Sequence, residues 1–251
     1  MRVNLQPAYI LHSRPYRDSS LLLEVLTAEH GRLSLVARGA RRRTRGGSVA
    51  VLLQPFSPLL LGFSGRSELK NLNATEAAGR PQLLRGQRMF SGLYLNELLV
   101  RLLHRHDPHP QLFAAYASTL DALASDGELD DILRRFEFSL LVELGYGFDL
   151  RVDGDTGEAL LPQAWYHYHP DHGLVARGPV ADPNQPAFRG DDLLAIAGND
   201  FSGAARTTAK RLLRLALAMQ LGDAPLRSRE LFKAHSKVVR RPASAGVEEQ
   251  S

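Results

Sequence analysis

The sequence predicts an α+β protein of more than one domain, with a small closed β-barrel at the N-terminus and then an α-helical domain interrupted by an irregular β-rich insertion. Three patterns carry that expectation. Short apolar runs separated by turn residues fill the first 80 positions, leucines recur at helical spacing from Pro81 onward, and residues 148–187 are crowded with Gly, Pro and Asp.

The barrel strands follow in order. Residues 8–12 are apolar, 20–27 form the unbroken apolar run of a buried strand, and 32–38 alternate polar with apolar. Glu29-His30-Gly31 supplies a compact hairpin turn between the last two. Val51-Leu52-Leu53 and the run 59–63 are further apolar stretches broken by Pro55 and Pro58, and the polar turn 64–67 precedes 69–72. About five short strands in under 80 residues are too few for a two-sheet sandwich and favour an OB-type barrel.

The helices come next. Apolar spacing predicts one from Met89 to Leu103, halted at Asp107-Pro108, and a second over 111–124. A third opens at Asp130-Asp131, whose carboxylates suit a helix N-terminus, and ends at Gly145. Short loops make these an antiparallel bundle. The insertion contains β-like pieces at 164–168 and 173–176. Helical pattern returns over 190–197 and 204–221, a short segment 228–235 follows, and the tail 239–251 is too poor in apolar residues to fold.

Composition removes whole classes of function. With 44% hydrophobic and 23% charged residues the chain is globular, and no apolar run approaches the roughly 20 residues that cross a bilayer, which excludes a membrane protein. The start carries no basic-then-apolar leader, so a cytoplasmic location is expected. Zero cysteines exclude a disulfide framework, a thiolate-held zinc or iron–sulfur site, and thiol catalysis. The net charge of +4 divides unevenly, +7 over residues 1–70 and −3 over the rest, which points to a polyanion partner for the N-terminal part.

The sharpest motif is the run from Arg38 to Gly47, five arginines (Arg38, Arg41, Arg42, Arg43, Arg45) in eight residues with glycines on both sides. Guanidinium forks bind phosphate oxygens well and keep their charge, so such a loop on a barrel suits nucleic acid; the plain alternative is a solvated charged loop. Stacking aromatics are scarce, because Tyr9, Tyr16, Phe56 and Phe63 each read first as core. There is no phosphate-binding P-loop and no Gly-x-Ser-x-Gly, and the acidic pairs Asp130-Asp131 and Asp191-Asp192 sit at helix starts, where the helix dipole accounts for them. His104, His106 and His109 surround a helix end and read as capping or exposed groups. His167, His169 and His172 beside Asp153 and Asp155 would have to serve a metal-dependent nucleic-acid-processing enzyme, yet their spacing is loose and a polar surface cluster is the preferred reading. On the helices, Arg134 and Arg135 back an apolar face, and Arg206, Lys210 and Arg214 repeat every four residues as a basic stripe; either set could be solvated or take an acidic peptide or phosphates. A helical adaptor whose basic barrel binds acidic protein is a third reading.

Taken together, Ile10-Leu11-His12-Ser13-Arg14-Pro15-Tyr16, the stretch Gly31 to Arg41, Leu53-Gln54-Pro55-Phe56, Gly92 to Leu98, Arg134-Arg135-Phe136-Glu137, Leu144-Gly145-Tyr146-Gly147 and Ser228 to Phe232 resemble the RecO family of bacterial recombination mediators, nearly end to end and in the family's order. The resemblance implies an OB-fold over 1–80, a helical domain over 81–147 and 188–238, and a zinc-ribbon-like insertion over 148–187. It implies no enzyme and no cofactor, but binding of single- and double-stranded DNA, annealing of complementary strands, partnership with RecR, and loading of RecA onto DNA coated by single-strand binding protein (SSB), in the cytoplasm at the nucleoid. It assigns DNA contacts to Arg14, Arg32, Arg38, Arg41, Arg42, Arg43, Arg45, Arg66 and Lys70, with Arg206, Lys210 and Arg214 as additional candidates, and the SSB C-terminal tail to Arg134 and Arg135. Family zinc ligands would fall near Asp153, Thr156, Ala176 and Pro179, none of which supplies a thiolate, so loss of zinc is expected.

Overall fold

The computed structural model describes residues 1–42, 48–178 and 185–232. Five strands, β1 (Arg2–Tyr16), β2 (Ser20–Thr27), β3 (Gly31–Ala37), β4 (Leu59–Ser64) and β5 (Leu69–Ala77), close a barrel in the order β1-β2-β3-β5-β4. Every neighbouring pair is antiparallel except β3 with β5, as in an OB-fold. Ile10, Leu23, Leu33, Leu35, Leu61 and Phe63 fill the interior. Each such side chain stabilises the barrel by roughly 1.5–3 kcal/mol relative to exposure.

Two sequence expectations change here. β1 is far longer than the apolar run 8–12, because register shifts next to Gln6 and after Ile10 bend it, so its first half pairs with β4 and its second half with β2. Polar residues and Pro7 hid those ends. Val51-Leu52-Leu53 is no strand: Val49–Val51 form a 3₁₀ turn capped by the Ser48 hydroxyl, and only Leu53 turns inward to plug the barrel.

Strand register decides which surface is left for a ligand. Leu23 opposite Leu35 faces inward, so Leu22 opposite Val36, Glu24 opposite Ser34 and Leu26 opposite Arg32 face outward. At one end of this outer face Tyr9, Leu11 and Leu26 join the core of the helical body. The other end stays open.

The helical body comprises α1 (Gly86–Leu102), α2 (Pro110–Ala124), α3 (Leu129–Glu143), α4 (Gly190–Ala197) and α5 (Gly203–Leu221), with α3 packed between α2 and α5. A last helical turn over 227–232 is tied to α1 by Glu97, whose carboxylate accepts from the Arg227 and Ser228 amides at 2.9 and 2.8 Å and from the Ser228 hydroxyl at 2.6 Å. Barrel and body share a buried polar seam. The Asn96 amide donates to the Leu11 carbonyl at 2.9 Å and accepts from the Tyr116 hydroxyl at 2.5 Å, and the Tyr9 ring meets Tyr116 edge-on at 5.1 Å. Gly31, at φ +63°, abuts the Asp107 carbonyl so closely that a Cβ would sit 2.0 Å from its oxygen, so only glycine fits the hairpin turn there. Asn96→Leu removes the partners of both the Leu11 carbonyl and the Tyr116 hydroxyl, and is expected to cost about 3 kcal/mol, measured as a lowered urea midpoint at unchanged m.

The insertion is a three-stranded sheet in the order β7-β6-β8, formed by β6 (Trp165–His169), β7 (Gly173–Ala176) and β8 (Ala187–Arg189). Its apolar residues Tyr166, Tyr168, Leu174 and Phe188 enter the core of the helices, so it packs as part of that body.

Candidate nucleic-acid interface

The open end of the barrel's outer face is a cleft of about 630 Å³, walled by the β1–β2 turn, the end of β3 and the β4–β5 turn. Tyr16, Ser20, Val36, Leu69 and Asn71 form its strand-borne floor, and Arg17, Arg38 and Arg42 stand at its rim. No carboxylate lines it. None of these three arginines is ion-paired among the described residues, and all are exposed. The Arg17 guanidinium lies 5.2 Å from the centre of the Tyr16 ring, on a left-handed residue (φ +52°) that turns β1 into β2. Three guanidinium groups without an ion pair among the described residues thus share one cleft with a half-buried ring, donors whose chemistry suits phosphate oxygens beside a ring whose chemistry suits stacking.

The predicted cations divide into free and committed ones. Arg14 is exposed on β1 with the outward parity of Tyr16, Arg66 is exposed on the β4–β5 turn, and Arg38, Arg41 and Arg42 are exposed at the start of the basic loop; Arg43 and Arg45 lie outside the described residues. Arg32 is committed to the seam, 2.9 Å from Glu24 and donating through Nε to the Leu103 carbonyl at 3.1 Å. Lys70 has the inward parity of Leu35 and is only 6% exposed, its Nζ donating to the Ser67 carbonyl at 3.0 Å. Sequence reasoning overlooked Arg17 and ranked Tyr16 with the core aromatics. Tyr9, Phe56 and Phe63 are buried as expected, whereas Tyr16 opens onto the cleft because it follows the register shift that turns even positions outward.

The basic stripe on α5 is also divided. Arg206 reaches Glu128 and Asp131 at 3.5 and 3.6 Å, and Lys210 reaches Asp130 at 3.4 Å, which clamps α5 to the acidic start of α3. Arg214, together with Lys210, Asp130 and Glu128, lines a cavity of about 460 Å³ between α1, α3, α5 and the final helical turn. The floor of this cavity is unusually polar. Arg134, 6% exposed, holds Nη1 2.9 Å from Glu137 Oε2, and Tyr94 donates to Glu137 Oε1 at 2.6 Å. Burial pushes the Glu137 carboxyl up, opposed by the Arg134 charge. Ser91 Oγ and Arg134 Nε are buried without a hydrogen-bond partner, and Glu137 Oε2 has the Arg134 ion pair alone. Leu129, Leu133 and Phe232 supply apolar walls. Arg135 does not share this cavity: it is exposed, lies 5.4 Å from the Phe201 ring centre, and borders a separate groove with Phe138 and Val142.

Among the described residues of the insertion the positions expected for zinc ligands carry other contacts. Of the positions where family zinc ligands would fall, Asp153 alone could ligate, and its carboxylate is already engaged: Oδ1 accepts from the Asp155 and Thr156 amides at 2.9 and 3.2 Å, and Oδ2 from the Ala176 amide at 2.8 Å. Pro179 lies outside the described residues. Asp155 pairs with His172 at 2.9 Å, and no group of three or more His, Asp or Glu side chains among the described residues could hold a metal ion. The carboxylate of Asp153 therefore ties together the two turns where the resemblance puts zinc ligands, and among the described residues the rival metal-dependent enzyme has no assembled ligand set.

An OB-type barrel with an arginine-rimmed cleft, joined through a buried polar seam to a helical body, is an architecture that suits a nucleic-acid-handling protein. Family models described as recombination protein O N terminal and recombination protein O C terminal match residues 1–80 and 84–230. The chain is 49% identical to the DNA repair protein RecO of Methylococcus capsulatus over 236 residues, covering 94% of this chain and 95% of that one. It is 50% identical to RecO of Pseudomonas aeruginosa over 228 residues (90% and 94%) and 45% identical to RecO of Coxiella burnetii over 236 (92% and 98%). The chain belongs to the RecO family of DNA repair and recombination proteins. Among the described residues no helix is long and apolar enough to cross a membrane.

Proposed function

We propose that the protein is a recombination mediator that grips single- and double-stranded DNA by its phosphates, anneals complementary strands and, with RecR, promotes RecA loading onto SSB-coated single strands in the cytoplasm. The observation that carries the DNA-binding part is the barrel cleft, which Arg17, Arg38 and Arg42 line together with Tyr16 and which no carboxylate lines. Arg14 and Arg41 extend the same free charge, and the loop residues Arg43 and Arg45 continue it in sequence, whereas Arg66 stands on the other side of the β4–β5 turn. Arg32, committed to the seam, and Lys70, which lines a separate cleft, take no part in it. Family membership and the separate cavity on α3 support the partner roles.

Phosphate gripping predicts strong salt dependence. Three or more neutralised phosphates give a slope of about −2 or steeper for log K against log salt on a single strand, so affinity for an oligo-dT should fall about tenfold or more between 50 and 200 mM NaCl. Fluorescence anisotropy measures it. A slope near zero would remove the electrostatic basis of the proposal.

The α3 cavity is the proposed seat of the acidic, apolar SSB tail, with unpartnered donors at Ser91 and Arg134 for a carboxylate and Leu129, Leu133 and Phe232 for its last side chain. Arg134→Lys keeps a charge beside Glu137 but removes the Nε donor. It should weaken a tail peptide about tenfold or more in calorimetry and leave oligo-dT binding within twofold. Equal weakening of both ligands would mean one general electrostatic surface. Arg135, on the other groove, is expected to contribute less.

A further inference from the structure

The β4–β5 turn separates the barrel cleft from a second one of about 610 Å³ on its other side, at the junction with the helical body. Ser67 lines both. The second cleft is lined by Lys70, Arg66, His30 and His106 and by two carboxylates at its edge, Glu29, which accepts from the Gln6 side chain at 2.9 Å, and the exposed Glu68, 3.7 Å from Arg105. Lys70 is the anomaly. Its side chain is almost wholly buried, its ammonium has the Ser67 carbonyl as its one hydrogen-bond partner, and no carboxylate lies within ion-pair distance of it among the described residues. An ammonium carries three donors, and a buried charge without a counter-ion is costly, so an anion in this cleft would satisfy what the fold leaves unmet. No Phe, Tyr or Trp lines the cleft, and of its two imidazoles His30 is held edge-on against Phe63 at 5.7 Å, so it offers charge to a backbone more than a platform to a base.

We infer that this junction cleft is a second phosphate-backbone site that holds a second DNA strand, Lys70 and Arg66 taking its phosphates while the first strand lies against Tyr16. The inference rests on the DNA-binding role proposed above for the barrel cleft. The geometry suits annealing. A β-turn places its two strands about 5 Å apart, and side chains widen the divider to the order of the roughly 6 to 12 Å grooves that separate the backbones of a duplex. A strand held by its backbone alone keeps its bases free to pair with a neighbour across the turn, and cations on both sides of the turn lower the repulsion between the two backbones.

The test is a double dissociation on the full chain, read by the number of short oligo-dT molecules bound at saturation and by the annealing rate of labelled complementary strands. Arg66→Glu with Lys70→Met is expected to leave the tighter event within twofold, to abolish the weaker one and to slow annealing at least tenfold. Arg38→Ala with Arg42→Ala should do the converse to the binding events, losing the tighter and keeping the weaker. Arg66→Glu alone, at an exposed position, should lower annealing at least threefold without altering the melting temperature, which guards against misfolding of the Lys70 variant. A single binding event in the wild type, unchanged annealing in the Arg66 and Lys70 variants, or parallel loss of both events in the double variant would each overturn the second site. Failure of the Arg38 and Arg42 pair to weaken the tighter event would instead overturn the barrel-cleft reading.

Discussion

Replacing Arg17, Arg38 and Arg42 together by alanine is expected to weaken single-strand binding about 100-fold near 100 mM salt and to flatten the salt slope by about 2. Three charge-assisted contacts, each worth on the order of 1 kcal/mol net at an exposed site, account for the first figure, and three fewer displaced counterions for the second. Because these side chains are exposed and unpaired among the described residues, folding stability should change little. Tyr16→Ala adds a different signature: stacking is largely insensitive to salt, so affinity should fall about tenfold with the slope unaltered. Anisotropy titrations of oligo-dT at four salt concentrations separate the two effects. If the triple variant keeps the wild-type slope, the phosphates are held elsewhere.

The second large effect belongs to the insertion. Asp153→Ala should cost about 3 kcal/mol of stability, since it leaves the Asp155, Thr156 and Ala176 amides without their shared carboxylate, and amide bonds to a charged acceptor are the stronger kind. The same site sets an acid limb. Burial raises the Asp153 carboxyl's pKa, but the three amide bonds outweigh it and hold the folded value below the ordinary 3.8. The unfolded chain therefore binds the proton first, and the stabilisation is full above about pH 4 and lost as pH falls through the folded value. Asp153→Asn should flatten that limb of the urea-stability profile while leaving neutral-pH stability between wild type and the alanine variant. An unchanged acid limb would show that the carboxylate is not the link between the two turns. Gly154 supports this reading, because a Cβ there would sit 1.5 Å from the His172 carbonyl oxygen, so the turn beginning at Asp153 is pressed against the β6–β7 turn.

Much of the architecture is legible in sequence because periodicity reports burial. The leucines of α1, α2 and α3 and the unbroken run of β2 fall where the structure buries them. What escaped depends on register, which periodicity does not carry across a bulge. The shift after Ile10 in β1 turns Tyr16 and Arg14 outward and makes the first a ligand-face residue, and Val51-Leu52-Leu53 reads as strand although one leucine alone is needed to close the barrel. Charge was legible as a total but not as an allocation. Arg32, Arg206 and Lys210 look equivalent to Arg38 and Arg42 in sequence, yet their partners lie 8, 78 and 80 residues away, respectively Glu24, Glu128 and Asp130, and the fold brings each pair together. Arg134 and Arg135 are adjacent in sequence and about 100° apart around a helix, which is enough to send them to different grooves. The absence of cysteine announced the loss of thiolate ligands; that one aspartate would take over the link required the positions of three backbone amides.

The central claim, that DNA lies in the barrel cleft against Tyr16, is tested most directly by photo-crosslinking an oligo-dT carrying a halogenated uracil and mapping the adducts by mass spectrometry. The account predicts a dominant adduct on the peptide containing Tyr16, lost in Tyr16→Ala and reduced when Arg38 and Arg42 are neutralised. Adducts confined to the helical body, with none on the barrel, would contradict it.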